Sequence, residues 1–130
     1  MKILGIGVDI VSNKRIQKLI VNKNFISRIY GKTEINIAKK MTNKVDYYSK
    51  RFAAKESFAK CLGTGFRENI NFNDIQVVND KLGKPFYLLS KKIKNKIVKK
   101  FKIQKYDIFL SISDERNYSV AFTILQKKLL

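Results

Sequence analysis

The fold of this chain is decided by the segment Arg51-Phe52-Ala53-Ala54-Lys55-Glu56-Ser57-Phe58-Ala59-Lys60, which leads into Leu62-Gly63-Thr64-Gly65. Its alanines, lysines, arginine and glutamate favour helix, and neither Pro nor Gly interrupts it before Gly63. We therefore predict one long helix from about Asn43 to Leu62, ending at Gly63. The remaining segments must pack against this helix.

Glu56 is the unusual residue of this helix. Its neighbours one turn away include Phe52, Ala53 and Ala59, so its carboxylate is partly desolvated. Desolvation of a charge costs free energy unless a cation or hydrogen bonds compensate. Two groups could compensate the charge of Glu56, and the sequence does not decide between them. One is Lys60, one turn onward, in a simple helix ion pair, and the other is a bound metal ion.

A second acid, Asp9, lies within an apolar strand formed by residues 2–11. Alternation places Leu4, Ile6, Val8 and Ile10 on one face and Asp9 on the other, and the run is typical of a strand buried on both faces. Gly5 and Gly7 remove side chains just before Asp9, so another backbone or a ligand can approach closely. Asp9 either caps the following helix or takes part in a site.

The other segments predict a small α+β domain spanning residues 1–130. We expect a small antiparallel sheet packed on the long helix and shorter helices. The expected elements are a helix from Asn13 to about Ile20, a helical piece after Thr33, strands at 75–78 and 85–88, a helix after Ser90 with the apolar stripe Ile93, Ile97, Val98 and Phe101, and a hairpin of 108–113 with 118–125.

Composition limits the possible chemistry. The chain has 130 residues, 45% of them hydrophobic, and a net charge of +18 from 28 basic and 10 acidic residues. The charge favours polyanionic partners. A single cysteine, Cys61, and the absence of His exclude an internal disulfide framework, Cys- or His-based zinc sites and a Ser-His-Asp triad. With no signal peptide and no membrane-spanning run, we expect a cytoplasmic protein.

The ordered motifs resemble a known family. Similar stretches are Gly5-Ile6-Gly7-Val8-Asp9-Ile10, Arg51 to Glu56, Gly63-Thr64-Gly65, Asp74-Ile75, Gly83-Lys84-Pro85-Phe86, Ser111-Ile112-Ser113 and Tyr118-Ser119-Val120-Ala121. Together, from about Ile3 to Leu125, they resemble the holo-[acyl-carrier-protein] synthase family of small phosphopantetheinyl transferases. The resemblance implies the fold of that family.

The resemblance also implies a reaction in fatty acid biosynthesis. The 4′-phosphopantetheine arm of coenzyme A is transferred to a serine of apo-acyl carrier protein, and adenosine 3′,5′-bisphosphate is released. Asp9 and Glu56 match the metal-binding acids of the family, and Mg²⁺ suits the pyrophosphate that reacts. Lys60 is expected to contact the same phosphates and to assist catalysis.

Further positions match residues that bind coenzyme A in the family. They are Arg51, Lys60, Gly63, Thr64, Lys84, Pro85 and Ser113. Arg51 would hold the 3′-phosphate, Lys84 and Pro85 would line the adenine pocket, and Ser113 would touch a phosphate. Ordinary helix-end and turn chemistry explains the glycine-containing motifs equally well.

The chain departs from the family at Asp114, where a His is usual. The proton of the carrier serine must therefore go to Asp114, to Glu56 or to a metal-bound water. We favour the water, because a solvated aspartate is a weak base near neutral pH.

Partners follow from the resemblance as well. It implies a homotrimer with active sites at the subunit boundaries. It also implies an acidic acyl carrier protein that docks at Arg15, helped by nearby basic residues: Lys14, Lys18, Arg28 and Lys32. A basic RNA-binding module and a structural protein are the alternatives. Neither requires two acids in apolar settings, so we expect no nucleic acid or membrane as partner.

Overall fold

Helix α4 (Lys44–Leu62) is the element on which the others pack. The structure, a computed structural model, describes residues 2–67 and 69–129. The other elements are β1 (Lys2–Ser12), α1 (Asn13–Leu19), α2 (Lys23–Ile29), α3 (Lys32–Ala38), a 3₁₀ turn (Phe72–Asp74), β2 (Ile75–Asn79), β3 (Pro85–Leu89), α5 (Lys91–Phe101), β4 (Tyr106–Asp114) and β5 (Tyr118–Lys127). The α+β prediction is confirmed.

Both predicted ends of α4 are confirmed. The Asn43 side chain accepts a hydrogen bond from the Asp46 backbone N–H at 3.0 Å, which satisfies one of the free donors of the first turn. Gly63 ends the helix in the left-handed region, with a φ of 80° that a glycine adopts without a steric penalty. In the described residues, no helix is both long and apolar enough to cross a membrane.

The strands form two antiparallel sheets. A three-stranded sheet has the order β1-β5-β4, and β2 pairs with β3 in a separate two-stranded sheet. Strand β1 packs closely on α4, because a Cβ atom at Gly7 would overlap the Ser57 carbonyl and one at Gly5 would overlap that of Cys61. The expected backbone approach at these glycines is confirmed, and it carries Asp9 to the surface of α4.

One face of β1 contradicts the expectation of a strand buried on both sides. Ile6, Val8 and Ile10 are each more than half exposed, because α4 covers the opposite face of the sheet. Val98 is also exposed, since it lies one residue past the buried Ile97 and at the edge of the α5 stripe.

The short helices differ from the sequence prediction in two places. The sequence analysis missed α2, which begins after Asn22, whose side chain accepts a hydrogen bond from the Asn24 N–H at 2.8 Å. Helix α3 begins at Lys32 rather than after Thr33, with Gly31 as its N-terminal cap. Seven-residue helices carry only two turns of periodic signal, so their bounds depend on the tertiary packing around them.

Candidate active site

Asp9 and Lys60 meet between β1 and α4. The Lys60 ammonium donates to Asp9 Oδ1 at 3.0 Å and to the Val8 carbonyl at 3.1 Å. The Asp9 side chain is 16% exposed and that of Lys60 is 55% exposed, so the pair lies at a surface that a ligand can enter. In the described part of the chain, the ion pair of Lys60 is with Asp9 and not with Glu56. The simple helix pair considered from the sequence is therefore not formed.

Glu56 faces Asp9. The carboxyl of Glu56 is half-buried, and burial raises its pKa above the ordinary value, with the negative charge of Asp9 as the second cause. Lys60 and Arg15 act in the opposite direction on the same pKa. Two carboxylates that repel each other at a partly buried surface form a place where a cation is stabilised.

The acids fit magnesium. Among residues 2–67 and 69–129, no group of three or more His, Cys, Asp or Glu could hold a metal ion. Mg²⁺ commonly takes only one or two carboxylates and completes its octahedron with water and substrate phosphates. The Asp9–Glu56 pair provides that donor set, so the residues present fit Mg²⁺ bound together with a phosphate-containing substrate.

Arg15 lies on the same side of α4 as Glu56. It belongs to the first turn of α1, where its backbone N–H is 3.4 Å from the capping Ser12 hydroxyl. Its guanidinium carbon is 5.7 Å from the centre of the Phe52 ring, and its charge lowers the pKa of Glu56. The predicted docking residue thus lies beside the acid pair.

Arg51 belongs to a second group of residues. It is 7% exposed, its Nη2 donates to Asn79 Oδ1 at 2.6 Å, and its guanidinium carbon lies 3.8 Å from the centre of the Tyr47 ring. The Asn79 amide donates in turn to the Gly83 carbonyl at 2.8 Å. Arg51 is therefore linked to the β2–β3 turn, next to the predicted adenine-binding residues Lys84 and Pro85.

The two groups lie on different sides of α4 in one chain. Five residues separate Arg51 from Glu56, which corresponds to a rotation of about 140° around the helix axis. The Nε atom of Arg51 is buried and has no hydrogen-bond partner in the described structure. The guanidinium is thus fixed within its own chain by Asn79 and the Tyr47 ring, with one buried donor left without a partner.

The remaining predicted positions lie on the turn after α4 and on β4. Gly63 and Thr64 follow the end of α4, where the Thr64 hydroxyl donates to the Gly65 carbonyl at 3.3 Å. Ser113 pairs with Val120, which pairs with Ile10, so Ser113 points to the exposed face of the sheet and away from Asp9.

Asp114 lies on β4, at the far edge of the sheet from β1, where α4 holds its side chain. Lys50 Nζ lies 3.5 Å from Asp114 Oδ1 and 3.1 Å from Asp46 Oδ2. A hydrogen bond with Asp46, followed by burial, raises the pKa of Asp114. Lys50 precedes Glu56 by six residues, or about 9 Å along the helix. The β4 residue level with Asp9 is Ile112, two residues before Asp114, so strand β5 separates Asp114 from the Asp9–Glu56 pair within one chain.

Sequence analysis missed a buried ion pair directly behind Glu56. Lys55 Nζ donates to Glu34 Oε1 at 2.6 Å, and both side chains are 0% exposed. Lys55 also donates to the Phe72 and Ile75 carbonyls, which ties α4 to β2. A lysine within the apolar run from Phe52 to Phe58 was the available signal, but its partner is 21 residues away in the sequence.

Comparison with known proteins identifies the family. A family model described as the 4′-phosphopantetheinyl transferase superfamily matches residues 5–123. The chain belongs to this family. A holo-[acyl-carrier-protein] synthase of Pelagibacter ubique is 63% identical over 128 residues, which cover 98% of this chain and all of that protein.

Solved structures of phosphopantetheinyl transferases support the same family assignment. The crystal structure of the Neisseria meningitidis holo-[acyl-carrier-protein] synthase matches with a TM-score of 0.85 and 38% identity, over 96% of this chain and 99% of that one. The Bacillus anthracis synthase, in complex with coenzyme A (3′,5′-ADP), matches with a TM-score of 0.82 and 33% identity, over 98% and 100%. The predicted family, its fold and its transferase class are confirmed.

Proposed function

We propose that this protein transfers the 4′-phosphopantetheine arm of coenzyme A to a serine of an apo-acyl carrier protein for fatty acid biosynthesis. The observation that carries the proposal is the Asp9–Glu56 pair beside the Lys60 ammonium. The named function of the Pelagibacter relative and the coenzyme A in the Bacillus anthracis complex support it.

The reaction is a phosphoryl transfer. The serine Oγ forms a bond to the phosphorus that carries pantetheine, and the bond from this phosphorus to adenosine 3′,5′-bisphosphate breaks. Bound Mg²⁺, held by Asp9 and Glu56, would neutralise the pyrophosphate. Lys60 contributes a positive charge at 3.0 Å from Asp9 and can protonate the leaving phosphate. Catalysis is mainly positioning and charge neutralisation.

In this proposal the serine proton would pass to water at the metal site that Asp9 and Glu56 would hold, as favoured from the sequence. Glu56 is not the base, because its carboxylate would itself be a ligand of the metal. Asp114 is less suited, because its carboxylate is engaged by Lys50 and Asp46 and β5 lies between it and Asp9.

We further propose that the active protein is a homotrimer with sites at the subunit boundaries. The exposed face of the three-stranded sheet is apolar, and monomeric proteins rarely leave such a face open. Its exposed members are Ile6, Val8, Ile10, Phe109, Tyr118 and Phe122. Assembly through this face would allow Arg51, Lys84 and Ser113 of one copy to complete the site of another.

An acidic carrier protein is the proposed partner. A net charge of +18 favours it, and Arg15 lies beside the acid pair where the carrier serine must enter. An RNA partner is disfavoured, because Asp9 and Glu56 would repel phosphates in the absence of metal. A cytoplasmic location completes the proposal.

The test is to incubate the protein with apo-carrier, coenzyme A and Mg²⁺ and to weigh the carrier. The carrier should gain the mass of phosphopantetheine, and excess chelator should prevent the gain. Asp9→Ala and Glu56→Ala should each lower the rate more than about a hundredfold, whereas Asp107→Ala, at a surface acid of β4, should not. Full activity in chelator, or in both variants, would refute the mechanism.

A further inference from the structure

Lys60 is the counter-ion of Asp9, one of the two acids that fit Mg²⁺. Its ammonium lies 3.0 Å from Asp9 Oδ1 and 3.1 Å from the Val8 carbonyl oxygen, so two acceptors of β1 fix it in place. Among residues 2–67 and 69–129, no other basic group lies within 4.0 Å of the carboxylates of Asp9 and Glu56. Lys60 is therefore the one cation that this part of the chain places directly on the acid pair.

The ammonium of Lys60 and a divalent cation compete for Asp9. A positive charge that lies 3.0 Å from a carboxylate oxygen repels a metal ion at the same carboxylate, and the Asp9 side chain is only 16% exposed, so water screens this repulsion incompletely. The net charge of +18 adds a weaker repulsion at longer range. Two carboxylates, one of them already paired, make a weak site for a metal ion on its own.

A pyrophosphate at the acid pair changes this balance. Its oxygens are ligands that Mg²⁺ prefers, and they are also strong acceptors for an ammonium group. The Lys60 side chain is 55% exposed, and lysine carries its charge on a flexible four-carbon stem. The ammonium can therefore move from Asp9 to a phosphate oxygen without a change in the backbone of α4. This movement releases the Asp9 carboxylate for the metal.

We propose that Lys60 couples the binding of the metal to the binding of coenzyme A. Without coenzyme A, the ammonium holds Asp9 and disfavours a divalent cation. When the pyrophosphate is bound, it takes over the ammonium, and Asp9 becomes available as a metal ligand. Either ligand displaces Lys60 from Asp9 and spares the other that cost, so the two bind with positive cooperativity. The inference rests on the proposed function and adds regulation of metal binding to it.

Binding of Mn²⁺ alone tests the competition, because the electron paramagnetic resonance signal of the free aqueous ion is lost on binding. We expect Lys60→Met to bind Mn²⁺ about threefold to tenfold more tightly than wild type, since one partly exposed competing charge is removed. Lys91→Met is the matched control. It removes the same charge from an exposed lysine of α5 and should stay within about twofold of wild type. Equal affinity in wild type and Lys60→Met, or weaker binding in the variant, would overturn the proposal.

Calorimetric titration with coenzyme A, in chelator and in excess Mn²⁺, tests the coupling. The ratio of the two dissociation constants is the coupling factor, and the complex of Mn²⁺ with coenzyme A in solution contributes equally for every variant. The factor should be about threefold to tenfold larger in wild type than in Lys60→Met, because only the wild type has an ammonium to release from Asp9. Equal factors would overturn the proposal even where the wild type modifies the carrier. Failure of the wild type to modify the carrier would instead refute the proposed function, whatever the affinities for Mn²⁺.

Discussion

The Glu34–Lys55 ion pair gives the sharpest test of the fold. Glu34 accepts hydrogen bonds from the Lys55 ammonium and from the backbone N–H groups of Gly31 at 3.0 Å and Val77 at 2.9 Å. Both charged side chains are fully buried. In Glu34→Ala, both N–H groups lose their acceptor and the ammonium loses its counter-charge, keeping only the Phe72 and Ile75 carbonyls, in an interior where water cannot replace the carboxylate.

The expected cost of Glu34→Ala is about 3–5 kcal/mol in the free energy of unfolding, as for other buried pairs that lose one partner. This is a large part of the roughly 5–15 kcal/mol that stabilises a typical domain. The midpoint of thermal unfolding should fall by roughly 10–20 °C. Urea unfolding followed by far-UV circular dichroism is the assay, because the chain has no Trp.

The double variant Glu34→Gln, Lys55→Met is the control. It removes both charges and keeps a hydrogen-bond acceptor at position 34, so its stability should lie within about 1–2 kcal/mol of wild type. A loss below about 1 kcal/mol in the free energy of unfolding of Glu34→Ala would refute the energetic coupling of Glu34 and Lys55. A double variant whose loss equals the sum of the losses of the two single variants would refute it as well.

The pH dependence gives a second readout for Glu34→Ala. Burial lowers the pKa of Lys55, and the charge and hydrogen bond of Glu34 oppose this shift. Glu34→Ala removes both opposing effects, so the pKa of Lys55 should fall further. Between the lowered pKa and the unfolded value of about 10.4, the unfolded chain binds more protons than the folded one. The free energy of unfolding of Glu34→Ala should therefore rise with pH in this window. Its loss of stability relative to wild type should be largest at pH values below the window.

Four further outcomes are expected. Glu56→Gln should stabilise the metal-free protein at pH 7, because burial disfavours the charged carboxylate and raises its pKa in the folded state. This gain should disappear below about pH 4, where the carboxyl is protonated in both the folded and the unfolded state. A variant that is less stable than wild type at pH 7 would contradict the burial of this acid. Arg15→Glu should raise KM for the carrier with little change for coenzyme A, and wild-type rates should fall with salt; equal losses for both substrates would indicate a folding defect. Asp114→Asn should cost less than about tenfold, whereas a loss above about a hundredfold would identify a general base, and Asp114→His should be tolerated. If the protein is the proposed trimer, Val8→Asp should convert it to monomer in light scattering, and a trimer of unchanged mass would show that the sheet face is not the interface.

The sequence was sufficient where the signal is local. Helix α4 could be predicted with both ends, because its residues favour helix and because Asn43 and Gly63 are chemically suited to the positions they occupy. Gly5 and Gly7 likewise predicted that another backbone or a ligand approaches β1, and the structure identifies α4 as that backbone. Asp9 and Glu56 could be singled out because an acid in an apolar pattern is costly, whatever the fold around it.

Contacts between distant segments had to be read from the tertiary structure. The partner of Lys60 is Asp9, 51 residues away, rather than Glu56 one turn away, and the partner of the buried Lys55 is Glu34. The exposed face of β1 shows the same limit, since alternation gives two faces but not which of them α4 covers. Local propensity and periodicity act over a few residues along the chain, whereas burial and charge pairing depend on which segments the fold brings together.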